Sequence, residues 1–258
     1  MGQFFETIPE VAIPWILDQK MFWVSTAPLS ASGHINVSPK GGDYFGILDN
    51  KTFWYMDLTG SGNETISHLY EPGNGRITIM FCAFAGPPRI VRLFGHGTVL
   101  ESGTAAFDQF VKKQDVKTIP GSRSIINVDV HQAAGSCGFS VPFYEFKDFR
   151  TTLNDHFKKR VEKFEAGKSE ESMERYWAYK NAWSIDGLPG LQVALKTAKE
   201  EHVAPIQKMV GPLAPKAYLN DRRFPVKHLV LAAISTAFLT VCLFFIGLAA
   251  VDRAPLKV

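Results

Sequence analysis

Cysteine is scarce in this chain of 258 residues, which contains only Cys82, Cys137 and Cys242. The count is odd, and the spacing fits neither a zinc ribbon nor a thiol redox pair. We therefore expect no disulfide framework, and this cysteine usage suits a reducing compartment. With 46% hydrophobic residues, the chain can build a full-sized core without such cross-links.

Basic and acidic residues are nearly balanced in number. The 28 basic and 25 acidic residues give a net charge of +3 and are scattered along the chain. The basic stripe that nucleic-acid binding requires is missing from the sequence. We therefore expect no nucleic-acid partner.

Residue sets that carry chemistry unaided are also missing from the sequence. His34, His68 and His96 share neither a helix face nor a metal-ligand spacing, so no metal site is predicted. No Ser-His-Asp set or pair of carboxylates stands out, and catalytic residues cannot be assigned. This pattern agrees with a protein in which a bound cofactor does the chemistry.

Long apolar runs are absent except for residues 229–251, LVLAAISTAFLTVCLFFIGLAAV. As a helix, this run would be about 34 Å long at ~1.5 Å per residue, enough to cross a hydrocarbon core of ~30 Å. The alternative is a buried core helix, but core helices are rarely apolar on all sides over such a length. The sequence therefore predicts a single C-terminal transmembrane helix that reaches a lipid bilayer.

The charges that flank this run predict its orientation. The N-terminal residues lack the basic start and continuous apolar core of a signal peptide. Basic residues are more numerous before the run than after it, where only Arg253 and Lys257 follow. Those that precede it are Lys208, Lys216, Arg222, Arg223 and Lys227. We expect a tail-anchored membrane protein whose N-terminal domain faces the cytosol.

Short segments rich in aromatic and β-branched residues dominate the first half of the chain, separated by Gly, Pro, Asn and Asp. These strand-like segments are residues 21–27, 34–38, 52–57, 76–84, 90–100, 124–130 and 137–141. Helical patterns are found at residues 9–19, 64–71 and 105–113. The sequence predicts a mainly β fold with helices (α+β), built on a small antiparallel barrel.

The pattern changes after residue 145. Residues 146–166 have the spacing of an amphipathic helix, and two further helical stretches cover residues 170–182 and 191–208. Pro205, Pro212, Pro215 and Pro225 then interrupt any continuous helix. The predicted organisation is a barrel domain at 1–145, a helical extension at 146–210, a proline-containing linker at 211–228, the membrane helix at 229–251 and a tail at 252–258.

Two segments could bind a ligand. Residues 58–65, LTGSGNET, follow a predicted strand and lead into a helix, where glycines, hydroxyl groups and free N–H groups favour a phosphate. An ordinary Gly-rich turn with an Asn or Ser cap is the alternative. In residues 34–42, HINVSPKGG, Pro39 removes a backbone donor and predicts an edge strand. Here the alternative is a hairpin with a solvent-exposed Lys40.

These segments resemble a known family. The blocks FWVSTAPLSASGHINVSPKGG, FWYMDLTGSGNET, NGRITIMFCAFAGPPRIVRLFGHG, SCGFSVPFYEF and NAWSIDGLPGL look like the pyridoxamine 5'-phosphate oxidase superfamily, in the branch described loosely as family proteins of bacteria and fungi. The resemblance covers residues 4–191. It implies a split β-barrel of the FMN-binding type, usually a homodimer with FMN at the interface.

The resemblance also implies positions for the cofactor. Residues 35–40 would line the flavin ring, residues 61–65 would form the phosphate loop, and Tyr55 and Met56 would lie on the following strand. The residues expected to bind the cofactor are Asn36, Val37, Ser38, Lys40, Tyr55, Met56, Ser61, Gly62, Asn63, Thr65 and Arg92.

The chain departs from the oxidases in four respects. Glu64 and Thr65 stand where the phosphate loop of oxidases has Arg-Lys, and Ile90 replaces a Gln. The Tyr, Arg and Ser that grip the substrate phosphate have no match between Phe107 and Ser124, and the Arg-rich C-terminal end is missing. The charge for the flavin phosphate would come from Arg76, Arg89, Arg92 or Lys40, or neutral donors would suffice.

The resulting prediction is an FMN-dependent oxidoreductase of the superfamily that does not make pyridoxal phosphate. The alternative is a non-enzymatic module that holds flavin, or haem as some split-barrel relatives do, at a membrane surface.

Overall fold

The computed structural model of the chain describes residues 2–210. Three predicted segments lie outside the described residues: the linker 211–228, the transmembrane helix 229–251 and the tail 252–258. Within residues 2–210, no helix combines the length and the apolar character that crossing a bilayer requires.

One antiparallel sheet of eight strands forms the centre of the described structure. The strands are β1 (Gln3–Phe5), β2 (Met21–Thr26), β3 (Asn36–Gly41), β4 (Phe45–Asp49), β5 (Thr52–Leu58), β6 (Arg76–Cys82), β7 (Ile90–Glu101) and β8 (Ser122–Ser136). Their order across the sheet is β3-β2-β6-β7-β8-β5-β4, and β1 pairs with β8. As Pro39 predicts, β3 is an edge strand.

The connection between the two edge strands shows that the sheet must curl. Residues 42–44 lead directly from β3 at one edge to β4 at the other. A connection of this length spans roughly 14 Å at most. In a flat sheet of seven strands, the edges would be about 29 Å apart at ~4.8 Å per strand. The short connection is therefore possible only in a barrel-like sheet.

Aromatic side chains fill the inside of this curled sheet. Phe22 of β2 lies 5.6 Å from Phe53 and 5.5 Å from Tyr55, measured between ring centroids, although β2 and β5 are not neighbours in the sheet. Phe81 of β6 packs on the same cluster, and all four side chains are buried. The antiparallel half-barrel with helices that the sequence predicts is confirmed.

Six α-helices lie around the sheet within residues 2–210. They are α1 (Ile13–Asp18), α2 (Glu64–Tyr70), α3 (Ala105–Lys113), α4 (Thr152–Glu165), α5 (Met173–Lys180) and α6 (Gln192–Glu200), with short 3-10 turns at Glu10–Ala12 and Ser169–Glu171. Side-chain caps begin two of them. Thr104 accepts a hydrogen bond from the Phe107 amide at α3, and Ser172 accepts one from the Arg175 amide at α5.

Some predicted elements differ from the structure. Residues 137–141 form no strand, because Gly138 has a φ of +63° and turns the chain away from the sheet. Strands β1 and β4 were not predicted. The amphipathic helix predicted at 146–166 begins only at Thr152, and the helix predicted at 191–208 ends at Glu200, since His202 has a left-handed φ of +54°.

The helical extension packs on the barrel. Trp177 of α5, Leu191 just before α6 and Ala194 of α6 are buried in the same core as the barrel strands. The buried carboxylate of Glu101 accepts hydrogen bonds from the amides of Gln192 and Val193, at 2.7 and 3.2 Å. Glu101 at the end of β7 therefore caps α6 and fixes this helix to the barrel.

Candidate functional site

A cavity of 620 Å³ lies between β3, the loop at residues 59–63, α5 and the segment after α6. Its lining combines polar, charged and apolar side chains from segments far apart in the chain: His34, Ile35, Asn36, Val37, Ser61, Gly62, Glu64, Lys180, Ile185, Ile206, Gln207 and Lys208. Both ligand-binding segments predicted from the sequence therefore contribute to a single cavity.

The β3 wall is held in place by the amide of Asn36. Its Nδ2 donates to the hydroxyl groups of Thr26 at 3.1 Å and Thr65 at 2.9 Å. These bonds join β3 to β2 and to α2. Beside Asn36, the apolar side chains of Ile35 and Val37 are 74% and 61% exposed. This edge of the sheet thus offers a fixed polar group next to apolar surface.

The loop at residues 59–63 is anchored mainly through its carbonyl groups. The Gly60 carbonyl accepts from Asn181 Nδ2 at 2.9 Å, and the Gly62 carbonyl accepts from Arg123 Nη1 at 2.7 Å. Thr59 donates from its amide and its hydroxyl group to the Gly121 carbonyl, each at 2.7 Å. The backbone N–H groups of Ser61 and Gly62 have no acceptor among the described residues. They remain available to an anion.

A buried ion-pair network lies beneath the loop. The Asp57 carboxylate is fully buried and contacts Lys40 Nζ at 2.8 Å and Arg123 Nε at 2.7 Å. Burial raises the pKa of Asp57, but the charges of Arg123 and Lys40 outweigh it and lower this pKa to about 2. Asp57 is therefore ionised, and it ties edge strand β3 to β5 and, through Arg123, to Gly62.

Lys208 forms another part of the cavity wall. Its Nζ donates to Asn63 Oδ1 and lies 3.6 Å from Glu64 Oε1. Burial lowers the pKa of Lys208 to about 8, although the nearby Glu64 carboxylate opposes this change. Asn63 also donates from Nδ2 to Ser67 Oγ at 3.0 Å. Both amide atoms of this buried side chain are thus engaged.

Gly190 allows the extension to approach the loop. A Cβ atom at this position would lie 2.1 Å from Asn63 Nδ2 and 2.2 Å from the Asn181 carbonyl oxygen. Any larger residue would push the extension away from the loop.

The predicted site residues fall into three groups. Asn36, Val37, Ser61 and Gly62 line the cavity. Asn63 and Thr65 are buried behind the cavity wall, where they hold Lys208 and Asn36 in place.

The third group contains the five remaining predicted residues, whose side chains lie away from the cavity lining. Lys40 is paired with Asp57, and Ser38 lies opposite Val24 on β2. Tyr55 is buried in the barrel core. Met56 Sδ accepts from Ser122 Oγ at 2.9 Å, in a second apolar cluster. Arg92 donates to Ser136 Oγ at 3.3 Å. None of these five side chains is among the lining residues of the cavity.

Sequence reasoning missed four charged residues of the site. Asp57 and Arg123 occupy strand positions where a charge among apolar neighbours could have indicated a buried pair. Lys180 and Lys208 belong to the helical extension and its end. No local pattern relates them to the loop, because Lys208 and Asn63 are 145 residues apart in sequence.

The fold and the site define a class of protein: an antiparallel half-barrel with a mixed polar and apolar cavity at its edge strand. No family model matches the chain. A protein from Aspergillus flavus named pyridoxamine 5'-phosphate oxidase family protein ustO is 39% identical over 207 residues, which cover 78% of this chain and 82% of that protein. The chain therefore belongs to the pyridoxamine 5'-phosphate oxidase family.

Solved structures show a weaker similarity. HupZ from Group A Streptococcus is 20% identical with a TM-score of 0.35, and the match covers 47% of this chain and 89% of HupZ. A FAD binding protein from Mycobacterium smegmatis is 12% identical with a TM-score of 0.35, and the match covers 51% and 97% of the two chains. The family assignment rests on the Aspergillus relative.

Proposed function

We propose that this chain binds FMN in the cavity beside β3 and acts as a flavin-dependent oxidoreductase. The observation that carries the proposal is the position of the cavity. Its walls include β3 and the loop at 59–63, the two segments that the family resemblance assigns to the flavin ring and the flavin phosphate. Membership of the family supports the same assignment.

The residues of the cavity fit such a ligand. Its volume of 620 Å³ lies within the ~300–1,000 Å³ range of small-molecule sites. Ile35, Val37 and Ile185 offer apolar surface, whereas Ser61 and Lys208 offer a hydroxyl group and an ammonium group. FMN has a fused ring that packs on apolar surface and a phosphate that needs donors and positive charge. The donor set therefore suits both ends of FMN.

The side chains of the site would hold and orient the cofactor. When bound, a flavin supplies hydride or single-electron transfer. The side-chain nitrogen of Asn36, Nδ2, is engaged with Thr26 and Thr65. Its side-chain oxygen, Oδ1, is therefore the atom that Asn36 can offer to a ring N–H. The ion pair between Lys40 and Asp57 keeps β3 against the barrel and thereby sets the spacing between the ring wall and the loop.

A homodimer is the second part of the proposal. Large apolar side chains remain uncovered, among them Phe139 and Phe143 after the end of β8, which are 81% and 80% exposed. Ile35 and Val37 next to the cavity are exposed as well. Exposed apolar side chains of this size favour a partner surface. A second copy at edge strand β3 would cover Ile35 and Val37 and close the open side of the cavity.

The membrane attachment is the third part. Residues 229–251 are uncharged and long enough to span a bilayer, and the basic residues before them favour a cytosolic N-terminal domain. We propose that this run tethers the flavin-binding domain to a membrane.

One observation favours the alternative of a non-enzymatic flavin-binding or haem-binding module. Ile206, Gln207 and Lys208, from the segment after α6, form one wall of the cavity. A wall at this place restricts the approach of a substrate to a bound ring. An enzyme should be reduced by a small electron donor and reoxidised with turnover, whereas a pure binding module should retain its cofactor without turnover.

The absorption spectrum of the purified full-length protein in detergent tests the proposal. We expect the flavin absorption bands in the near-ultraviolet and the blue, which give the protein a yellow colour, and release of FMN on denaturation. A well-folded protein that is colourless and does not quench the fluorescence of added FMN would refute flavin binding. A haem spectrum would support the alternative module.

A further inference from the structure

The loop at residues 59–63 and the first two residues of α2 contain no basic residue. They carry one acidic side chain, and a Cβ atom built on Gly62 would lie 2.7 Å from Glu64 Oε2, so this carboxylate lies close to the loop backbone. A phosphate bound at the loop would be repelled by Glu64 at such short range. Positive charge from another part of the chain is therefore required if the ligand is a phosphate ester.

The basic residues that the sequence suggested for this purpose are engaged elsewhere. Arg76 donates to Asn74 Oδ1 at 3.1 Å, and the Arg89 guanidinium lies 5.3 Å above the Trp15 ring. Arg92 donates to a serine on β8. Lys40 and Arg123 both contact the carboxylate of Asp57, so only one net positive charge remains in that buried group.

Lys180 and Lys208 are the two cations that line the cavity. Their surroundings differ. Lys180 Nζ lies 4.8 Å above the ring of its neighbour Tyr179. Lys208 Nζ contacts the loop through Asn63 and Glu64, and its side chain is only 12% exposed. Of the two, Lys208 is the cation placed at the loop.

We propose that Lys208 supplies the positive charge for the phosphate of the bound flavin, so that the end of the helical extension replaces the basic residues that the loop lacks. This inference rests on the proposed function and adds a specificity to it: the site prefers a flavin monophosphate to riboflavin. Lys208 Nζ contacts Asn63 and Glu64, the two residues that follow Gly62, and the N–H groups of Ser61 and Gly62 are available to an anion.

Lys208 should take up protons when a phosphate ester binds. The charged groups that face Lys208 are Glu64 of α2, Lys180 of α5 and Arg123 of β8. A second anion beside Lys208 would raise its pKa above the value of about 8 that it has without a ligand. The affinity for a phosphate ester should therefore be full from pH ~6, the second pKa of such an ester, up to a pH of about 8 and decline above it. Riboflavin should show no such decline.

The test compares FMN and riboflavin on the full-length protein in detergent, by quenching of flavin fluorescence. Lys208→Met should weaken FMN binding by roughly 10- to 100-fold, the range of a hydrogen bond between charged groups, and riboflavin binding by less than about twofold. Lys208→Arg should restore most of the FMN affinity. Lys199→Met, an exposed position on α6, is the matched control and should leave both affinities unchanged.

The outcomes separate the two proposals. Equal losses for FMN and riboflavin in Lys208→Met would mean that Lys208 only supports the cavity wall, and this would overturn the inference while flavin binding stands. Unchanged FMN affinity in Lys208→Met would overturn it as well. An unaltered protein that binds neither flavin would refute the proposed function itself, and the inference would fail with it.

Discussion

Replacement of Asp57 by asparagine tests the buried ion-pair network beneath the loop. Asp57→Asn keeps the shape of the side chain but leaves Lys40 and Arg123 without their shared counter-ion. A pKa lowered from 3.8 to about 2 corresponds to about 2 kcal/mol of stability at neutral pH, at ~1.4 kcal/mol per pH unit. Uncompensated buried charge adds to this loss, and broken buried pairs cost about 3–5 kcal/mol.

The pH dependence gives the sharper measurement. The folded-state pKa of Asp57 lies below its usual value, so the stabilisation is present above pH ~4 and is lost as the pH falls towards about 2. Urea unfolding of both proteins at several pH values should show a difference of about 2–5 kcal/mol at pH 7. This difference should shrink below pH ~4.

Asp43→Asn, at an exposed position between β3 and β4, is the matched control and should unfold like the unaltered protein. A difference between Asp57→Asn and the unaltered protein that stays constant from pH 7 to pH 3 would refute the role of the ionised carboxylate. Unchanged stability at pH 7 would refute the whole network.

Three further predictions concern other parts of the chain. Glu101→Gln replaces an acceptor of two α6 amides, so it should lower the free energy of unfolding by about 1–3 kcal/mol in urea melts. Gly190→Ala should expose the loop to limited proteolysis, since its Cβ would lie 2.1 Å from Asn63 Nδ2. Arginine at both Leu239 and Phe244, each costing ~2.5 kcal/mol or more in a bilayer, should release the protein from membranes on carbonate extraction; continued retention would contradict the anchor.

The barrel was predictable because its strands carry local signals. Residues 52–57, TFWYMD, are rich in aromatic side chains and end at a glycine-containing loop, and this segment became β5. Strand β4, FGILD, is short and gives no distinct pattern, so it emerged only from its pairing with β5. Residues 137–141 looked like a strand by composition, but the positive φ of Gly138 overrides that preference.

The site was only half predictable for a related reason. Pro39 and Gly42, whose φ is +93°, mark the β3 edge, and glycines, which let the backbone come close to a ligand, mark the loop. The cavity wall formed by Ile206, Gln207 and Lys208 contains neither glycine nor proline. Lys208 resembled one more basic residue before an apolar run, and only the folding of the extension onto the barrel brings it to Asn63. Side chains of β5 point alternately to the two faces of the sheet, and this alternation places Tyr55 inside the barrel. The assignment of Tyr55 to the cofactor site, made from the family resemblance, did not take this alternation into account.

The helical extension is part of the candidate site as well as a support that packs on the barrel. Trp177 and Asn181 bind Thr59 and the Gly60 carbonyl, so α5 and the residue that follows it shape the loop directly. Glu101 fixes α6, and the segment that carries Lys208 follows this helix. Loss of this docking would therefore loosen the loop and remove its cation together. We expect the barrel without the extension to bind flavin weakly even if it folds, because both the shape of the loop and its charge depend on contacts that the extension makes.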